Sequence, residues 1–407
     1  MNKAVIIGSG IAGLATAARL LSKGYDVSIF EAGKETGGKI HSFNLGKYRF
    51  DAGPSLFTLP YLVDELFENL GENPRDHFNY IKNKTGNMLI RYRPDEVVAV
   101  IDREKIGSTS EKEVGVGGDT PVVGNFNSTL HLKPDTLVVG NATQGGFISD
   151  EYRVEIVNAI NAGCDIISGM HQFLNDDVDL KNTAEQNNVS LIDLRMPPDP
   201  PNFPSGTWQD RKVPVMLIVG TDCDTGKMTT AWEVTQRLKQ KGRKVEFIGT
   251  GQTGILLSGS GVPIDAVKAD FMAGEIEFLI QNMPDDTELV IVEGQGALTN
   301  QFYAGVTLGL MHGAMPDYML MTHDPSRDLD VTDYPMSSVQ HVMDLHLDLM
   351  KIFKESKFIG INLLTFAFDE KKAQDVIRET ESKYNIPTTD LIRFGNKDLI
   401  DTIEKII

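Results

Sequence analysis

Cysteine is scarce in this chain of 407 residues, which contains only Cys164 and Cys223. The two lie far apart and without the spacing of a metal-binding motif, so the sequence indicates neither a disulfide framework nor a zinc site. The N-terminus also lacks the basic segment, apolar core and small-residue cleavage site of a signal peptide. A reducing compartment suits such a chain, and we expect it in the cytoplasm.

Positive charge is also in short supply. The chain has 39 basic residues against 57 acidic ones, which gives a formal net charge of −18. This balance opposes general attraction to nucleic acid or to an anionic membrane, and we expect neither as a partner. No apolar run approaches the roughly 18 residues that a membrane span requires. Any anionic ligand must therefore be held by a local site.

A glycine loop lies between two strand-like runs at the start of the chain. Gly8, Gly10 and Gly13 form GxGxxG directly after an apolar run and at the start of a helix-like segment. There the glycines permit a tight turn, close approach to a pyrophosphate and packing of the helix on the strand. Glu31, after the second run, is placed to accept hydrogen bonds from a ribose. The pattern predicts a dinucleotide-binding βαβ unit, with glycines that serve only the turn as the alternative.

Two further stretches follow this unit, "GGKIHSFNLGKYRFDAGPSLFTLP" and "ENPRDHFNYIK". Together with it they resemble the phytoene-desaturase type of FAD-dependent oxidoreductase over residues 1–82. The resemblance implies that Gly37, Gly38 and residues 51–54 help to hold a flavin. The long substrate domain and C-terminal glycine-rich segment of those enzymes are not visible in this sequence. Because such a fragment would leave the flavin exposed, we expect neither bound FAD nor redox catalysis.

A second glycine loop begins at Gly220. The stretch "VPVMLIVGTDCDTGKMTTAWEV" runs from a buried-type strand through this loop into an amphipathic helix. Gly226 and Lys227 close a phosphate loop (P-loop) one residue longer than GxxxxGK, in which backbone N–H groups surround phosphate oxygens and the lysine neutralises them. The predicted cofactor-binding residues here are Gly220, Thr221, Asp222, Asp224, Gly226, Lys227 and Thr229.

Several residues of the sequence bear on whether this loop also binds a metal ion. Glu293 ends the apolar run "ELVIVEG" and, with Asp222, could hold Mg²⁺, although it could instead cap a turn. The residue after Lys227 is Met228, where a serine or threonine hydroxyl usually binds Mg²⁺. Thr229 lies about 100° further round the helix and is not an assured substitute. The sequence therefore favours phosphate binding over ATP hydrolysis.

The chain from about residue 84 to its end resembles a two-domain bacterial and archaeal family, in which a Rossmann-like domain precedes a P-loop domain similar to dethiobiotin synthetase. Four segments carry this resemblance: "SGMHQFL", "GTDCDTGKMTT", "VEGQGAL" and "GVTLGLMHGAMPDYMLMTHDPSR". Some members are D-glutamate N-acetyltransferases that use acetyl-CoA. The resemblance therefore implies N-acetylation of an acidic D-amino acid such as D-glutamate. Coenzyme A suits Met228, since its phosphates could bind the loop without the Mg²⁺ chemistry of ATP.

The last of these segments contains candidates for a substrate cleft between the two α/β units: His312, Asp317, His323 and Arg327. Arg327 suits a carboxylate because its guanidinium is planar and bidentate. Either histidine could deprotonate an amine nucleophile. We predict His312, His323, Arg327 and Glu293 as the catalytic residues, with a solvated arginine and structural histidines as the alternatives. The substrate would be a small molecule, an amino acid.

Strand-like and helix-like segments alternate along the chain, which predicts the α/β class. We expect Rossmann-like N-terminal units followed by a P-loop domain with a doubly wound parallel sheet. The predicted domains are residues 1–82, 84–207 and 208–407, with the proline-rich stretch 195–214 as a linker because proline interrupts helices and central strands. Residues 74–102 span the join between the two resemblances, and we infer function from the larger part.

Three other functions stay open at this point. An ATP-dependent kinase or ligase related to dethiobiotin synthetase, using Mg²⁺, is favoured by Glu293 and disfavoured by Met228. A non-catalytic nucleotide-binding regulator and a flavin oxidoreductase are the other two. For the assembly, we expect a homo-oligomer.

Overall fold

The computed structural model describes residues 3–32, 41–45, 48–52, 67, 84–140, 147–395 and 397–407. The chain divides into two compact units, one of residues 1–82 with 331–334 and the other of residues 83–330 with 335–407. Within the described ranges, no helix combines the length and the apolar character needed to cross a membrane.

The first unit contains the predicted βαβ arrangement. Strand β1 (Lys3–Ile7) leads through the glycine loop into helix α1 (Ile11–Ser22), and strand β2 (Asp26–Phe30) pairs with β1 in parallel. An antiparallel hairpin follows, formed by β3 (His41–Leu45) and β4 (Tyr48–Ala52).

The second unit begins with a Rossmann-like domain. Its main sheet has the order β7-β8-β9 with all strands parallel, and a short parallel pair, β5 and β6, precedes it. Because the helices pack on this sheet through Ile156, Ile160 and Leu180, the domain has its own apolar core. The elements are α2 (Lys84–Tyr92), β5 (Val100–Ile101), α3 (Ser110–Val114), β6 (Val122–Val123), β7 (Thr136–Val139), α4 (Asp150–Asn161), β8 (Asp165–Ser168), α5 (Val178–Asn187) and β9 (Leu191–Asp193).

The P-loop domain is built on a parallel sheet of six strands in the order β11-β12-β10-β13-β14-β15. Its elements are β10 (Val215–Gly220), α6 (Lys227–Gln240), β11 (Val245–Ile248), α7 (Gln252–Ser258), α8 (Ala269–Gln281), β12 (Leu289–Val292), α9 (Ala304–Ala314), β13 (Tyr318–His323), α10 (Val339–Met350), β14 (Lys357–Leu363), α11 (Glu370–Tyr384), β15 (Thr388–Thr389) and α12 (Lys397–Glu404).

Helices cover both faces of this sheet, as the buried side chains of β10 demonstrate. Val215, Leu217 and Val219 belong to one apolar cluster, while the alternating residues Met216 and Ile218 belong to the other. Successive side chains of a strand point to opposite faces. A strand that is buried on both faces is therefore a continuous apolar run in the sequence. The predicted fold class, Rossmann-like units followed by a doubly wound P-loop domain, is confirmed.

The proline-rich stretch between the domains is held by two buried carboxylates of α8. Its described backbone contains only a short 3-10 turn, Thr207–Gln209. Glu275 accepts a hydrogen bond from the backbone N–H of Asn202 at 2.6 Å. Glu277 accepts from the N–H groups of Ser205 and Thr207, also at 2.6 Å each. The stretch is thus anchored although it has almost no secondary structure of its own.

Candidate active site at the phosphate loop

The carboxyl ends of three neighbouring strands lie at one edge of the P-loop sheet. Gly220 ends β10, Glu293 follows β12, and His323 ends β13. Because β12 and β13 pair with β10 on either side, these residues gather around the loop that leaves β10. Ligands of open α/β sheets bind at this edge.

The loop between Gly220 and Lys227 bends through two left-handed backbone positions. Asp224 has φ +55° and Gly226 has φ +86°, and Gly226 caps α6 without a side-chain hydrogen bond. The first N–H groups of a helix have no partner within the helix, which makes this end a site for anions. The backbone of the loop therefore has the form expected for binding phosphate.

Lys227 lies inside this loop. Only 7% of the residue is exposed, and its Nζ donates a hydrogen bond to the carbonyl oxygen of Asp222 at 2.6 Å. The hydroxyl of Thr225 lies 3.5 Å from Nζ, donates to the same carbonyl at 3.0 Å and lies 2.7 Å from Thr322 Oγ1. The ammonium is therefore placed against the backbone that would surround a phosphate group.

Two predicted site residues, Asp222 and Arg327, form an ion pair in the loop. Asp222 is completely buried, and its other carboxylate oxygen accepts a hydrogen bond from Asn300 Nδ2 at 2.9 Å. Arg327 also donates to the carbonyl oxygen of Cys223 at 3.0 Å. Arg327 thus binds a carboxylate of the loop itself. The sequence suggested instead that it binds a carboxylate of the substrate.

Glu293 binds the backbone of the segment that follows β11. It is 4% exposed, and its Oε2 accepts hydrogen bonds from the N–H groups of Thr250 at 2.9 Å and Gly251 at 3.4 Å. This contact corresponds to the turn-capping alternative for Glu293. Among the described residues, no group of three or more histidine, cysteine, aspartate or glutamate side chains is arranged to hold a metal ion.

His323 provides an uncharged imidazole next to the loop. Its Nδ1 lies 2.9 Å from the hydroxyl of Thr221, the first residue after β10. Burial lowers the pKa of His323 to about 4, and Asp324 opposes this effect while Arg327 adds to it. The ring is therefore neutral near pH 7, and its low pKa makes it a weak base in this environment.

The two residues after Lys227 differ in environment. Met228 is 9% exposed and packs in the apolar cluster beneath α6, so the position that usually supplies a hydroxyl contributes only a buried thioether. Thr229 is half-buried, and Asp224 in the loop is exposed.

The structure does not bring His312 or Asp317 to this edge. His312 lies in the last turn of α9 with its ring centroid 5.3 Å from that of Phe353. Asp317 accepts a hydrogen bond from the N–H of Val215, the first residue of β10, at 2.9 Å. Both residues therefore lie at the amino edge, and β10 separates them from Gly220 by roughly 16 Å at about 3.3 Å per residue.

Sequence reasoning missed three polar residues that shape the loop: Thr225, Asn300 and Thr322. Their side chains bond to the loop or to each other, and all three are at most 1% exposed. A buried hydroxyl or amide requires a hydrogen-bond partner, but the sequence does not show which positions are buried. The one available signal is that Thr322 stands next to His323 at the end of an apolar strand.

In the first unit, the glycine loop closes on itself as predicted for GxGxxG. Gly8 has φ +95°, and a Cβ atom on Gly13 would lie 2.0 Å from the carbonyl oxygen of Gly8. Gly10 precedes α1 as its N-cap. Glu31 Oε2 accepts hydrogen bonds from Ser9 N at 2.7 Å and Ser9 Oγ at 2.6 Å, so its carboxylate contacts the loop.

Gly37, Gly38 and residues 53–54 lie outside the described residues, and the expectation about FAD stays a prediction.

The parallel sheet and its glycine–lysine loop define a P-loop protein with a Rossmann-like domain before it. A family model described as "Domain of unknown function (DUF1611_C) P-loop domain" matches residues 202–400. The corresponding N-terminal model, a Rossmann-like domain, matches residues 103–197. The chain belongs to this DUF1611 family, which confirms the resemblance seen in the sequence.

Relatives and a solved structure agree with this assignment. The chain is 39% identical over 271 residues to a D-glutamate N-acetyltransferase from Tritonibacter scottomollicae, which covers 66% of this chain and 80% of the relative. A second protein of that name, from a Pseudoalteromonas species, is 32% identical over 297 residues, or 71% of this chain and 88% of the relative. The crystal structure of a DUF1611 family protein from Anabaena variabilis superimposes with a TM-score of 0.74 and 32% identity, covering 79% and 95% of the two chains.

The first unit is similar to a different group of proteins. A model of an NAD(P)-binding Rossmann-like domain matches residues 6–70. A 1-hydroxycarotenoid 3,4-desaturase from a Flavobacterium species is 62% identical over 85 residues, which is 21% of this chain but only 17% of the relative. The predicted desaturase-like N-terminus is therefore confirmed, and it corresponds to a small part of that enzyme.

Proposed function

We propose that this protein transfers the acetyl group of acetyl-CoA to the amino group of an acidic D-amino acid such as D-glutamate. The observation that carries the proposal is the neutral imidazole of His323, 2.9 Å from Thr221 of the phosphate loop. This arrangement combines a proton acceptor with a binding site for a phosphate-bearing acyl donor. The two relatives named D-glutamate N-acetyltransferase support the choice of substrate.

The phosphate loop suits the phosphate groups of acetyl-CoA, the acyl donor. Lys227 and the N-terminal turn of α6 supply positive charge and N–H donors within one loop. Such a local site is necessary because the chain carries a net charge of −18 and would otherwise repel an anion. Lys227 and these N–H groups can contact a phosphate oxygen without a metal ion.

In the proposed reaction, the amine nitrogen attacks the thioester carbonyl carbon. The C–N bond forms, the C–S bond breaks, and the electron pair of that bond leaves with sulfur as the thiolate of coenzyme A. In the tautomer whose Nδ1–H donates to the Thr221 hydroxyl, the proton lost by nitrogen passes to Nε2 of His323 and then to the thiolate. The carboxylates of an acidic substrate near the ring would raise its pKa and strengthen it as a base.

Release of free coenzyme A thiol tests the proposal directly. Purified protein mixed with acetyl-CoA should release thiol with D-glutamate and form N-acetyl-D-glutamate in equal amount. His323→Gln should lower kcat by about 100-fold or more, the usual contribution of a general base. His131→Gln, at an exposed position of the Rossmann-like domain, is the matched control and should leave kcat unchanged. Thiol release that never exceeds the protein-free rate, with D-glutamate or L-glutamate, would contradict the proposal.

An ATP-dependent ligase is the second candidate, and the position of Glu293 after β12 at the loop edge favours it. The buried thioether of Met228 weighs against it. Met228→Thr adds the hydroxyl expected on Mg²⁺ and should raise affinity for ATP with Mg²⁺ while acetyl-CoA affinity stays nearly constant. Met228→Leu controls for the change in packing. Wild-type protein that ignores acetyl-CoA but consumes ATP with a small acid would establish the ligase instead.

A further inference from the structure

A groove separate from the phosphate loop lies between the end of α2 and the side of α6. It has a cavity volume of about 440 Å³ and is lined by Arg91, Tyr92 and Arg93 of one segment and by Trp232, Glu233 and Arg237 of α6, among others. Trp232 follows Lys227 by five residues, which is about 7.5 Å along the helix axis. We call this feature the α6 groove.

Cationic side chains outnumber anionic ones in the α6 groove. Its three arginines face one glutamate, Glu233, in a protein whose net charge is −18. Glu233 already accepts hydrogen bonds from Tyr92 Oη at 2.8 Å and from Arg237 at 2.9 and 3.1 Å. Arg91 is exposed and has no carboxylate partner in the described part of the chain. The groove therefore keeps uncompensated positive charge.

Arg93 adds a second cation at the edge of the groove. Its guanidinium pairs with Glu96 at 2.6 Å, and both side chains are substantially exposed, at 40% and 63%. Exposed ion pairs of this kind contribute little in water and exchange readily with another anion. The same guanidinium donates to the carbonyl oxygen of Leu257 at 2.8 Å, which fixes its place at the edge of the groove.

Trp232 provides an independent indication of a ligand. The residue is 6% exposed, and its indole Nε1 has no hydrogen-bond acceptor among the described residues. The ring packs edge-on against Tyr92 and Phe247, with centroid distances of 6.1 and 5.3 Å. Because buried N–H groups almost always have an acceptor, one is missing at this lining residue.

We propose that the α6 groove binds a small oxyanion, a carboxylate or a phosphate, with Trp232 Nε1, Arg91 and Arg93 as its donors. An oxyanion offers several lone pairs, so one ligand can accept from the indole and from two guanidinium groups together. This site is independent of the acetyl-transfer proposal, because none of its residues belongs to the phosphate loop.

The two tryptophans of the chain, Trp208 and Trp232, allow a direct test. In the full-length Trp208→Phe variant, Trp232 is the sole tryptophan and reports on the groove by its fluorescence. Titration with sodium phosphate or sodium glutarate should change the emission in a saturable way, and sodium chloride at matched ionic strength should not. A response to phosphate alone identifies a phosphate-bearing ligand, and a response to glutarate alone identifies a carboxylate.

Further variants in the Trp208→Phe background locate the bound anion. Arg91→Gln with Arg93→Gln should weaken binding by about 10-fold or more, because two charged donors are lost. Arg378→Gln, on the exposed side of α11, should bind as before. Lys227→Ala should also keep the response, since the phosphate loop is a different site.

Trp232→Phe, measured by calorimetry, removes the indole N–H while keeping an aromatic ring and should also lower the affinity. The proposal is overturned if neither anion gives a saturable response. It is also overturned if the double arginine variant binds as tightly as its parent, or if Lys227→Ala abolishes the signal and so assigns the anion to the loop. The exposed position of Arg91 makes Arg91→Gln a usable single variant if the double variant is unstable.

Discussion

At the scale of single residues, the ammonium of Lys227 is set within the phosphate loop and not in solvent. Lys227→Ala should weaken binding of acetyl-CoA by about 10-fold to 100-fold, because one charged hydrogen bond to phosphate is lost. The melting temperature should stay unchanged, since the carbonyl of Asp222 keeps the hydroxyl of Thr225 as a donor at 3.0 Å. Isothermal calorimetry and thermal unfolding measure the two quantities.

Lys268→Ala is a suitable control for that experiment. Lys268 is an exposed residue before α8, so its removal alters the net charge equally without touching the loop. Equal losses of affinity in the two variants would mean that Lys227 acts only through overall charge, contrary to its placement against Asp222.

A second residue, His346, makes stability depend on pH. It is completely buried in α10, and burial lowers its pKa to about 4, against the effect of a hydrogen bond with the carbonyl of Val342. The folded protein therefore keeps the ring neutral, whereas the unfolded chain takes up a proton below about pH 6.5. Because the unfolded state binds more protons, the free energy of unfolding falls as pH falls from about 6.5 toward 4.

His346→Leu should remove this part of the pH dependence. Between about pH 7 and pH 4.5, the wild type should lose about 2 kcal/mol more of its free energy of unfolding than the variant. Urea unfolding at the two pH values measures the difference. His341→Gln, at an exposed position of the same helix, should keep the wild-type pH dependence. Parallel pH profiles for wild type and His346→Leu would contradict the assignment.

At the scale of elements, α8 holds the stretch that joins the two domains of the second unit. Burial acts to raise the pKa of Glu277, but hydrogen bonds from Ser205 and Thr207 outweigh it and hold the pKa below its usual range. Glu277→Gln should lower the free energy of unfolding by about 2 kcal/mol near pH 7, since hydrogen bonds to a charged acceptor become neutral ones. Denaturant unfolding provides the measurement.

The effect should disappear at low pH. A carboxyl whose pKa is depressed in the folded state stabilises the protein above its unfolded pKa and loses this effect as pH falls through the folded pKa. Wild type and Glu277→Gln should thus converge in acid. Glu355→Gln, at an exposed position outside the regular elements, should match the wild type throughout.

Elements with a strong local pattern could be predicted from the sequence. The apolar run of β10, the glycine loop and the start of α6 at Lys227 follow from neighbouring residues, which explains their agreement with the structure. The ion pair of Asp222 with Arg327 joins positions 105 residues apart, and only the packed fold selects that partner.

His312 and Asp317 lie away from the phosphate-loop edge for a topological reason. A helix that connects two parallel strands runs back toward the amino edge, so residues just before β13 lie far from the carboxyl edge. That rule follows from the predicted alternation of strands and helices in a parallel sheet, and it places both positions near the amino edge and His323, at the end of β13, at the carboxyl edge.

At the scale of the whole molecule, the second unit should fold without the first. Helix α2 belongs to the second unit, where Thr85 Oγ1 lies 2.9 Å from Thr253 Oγ1 and Tyr92 Oη donates to Glu233 at 2.8 Å. A chain shortened to residues 84–407 should therefore be soluble, with unchanged acetyl-CoA affinity by calorimetry. A chain shortened to residues 93–407 lacks α2 and should melt at a lower temperature. Insolubility of the 84–407 chain beside a monodisperse full-length protein would contradict this independence.

Because the guanidinium of Arg327 is matched by the carboxylate of Asp222, much of the positive charge at the loop is cancelled before any ligand arrives. An incoming anion therefore meets the field of the whole acidic protein at long range and the attraction of Lys227 only on close approach. Dissolved salt screens the long-range repulsion, with a Debye length of about 8 Å at physiological ionic strength, but acts weakly on a buried contact. Encounters with a polyanionic cofactor should thus become faster as salt is added, the reverse of the behaviour of proteins that attract their ligands electrostatically.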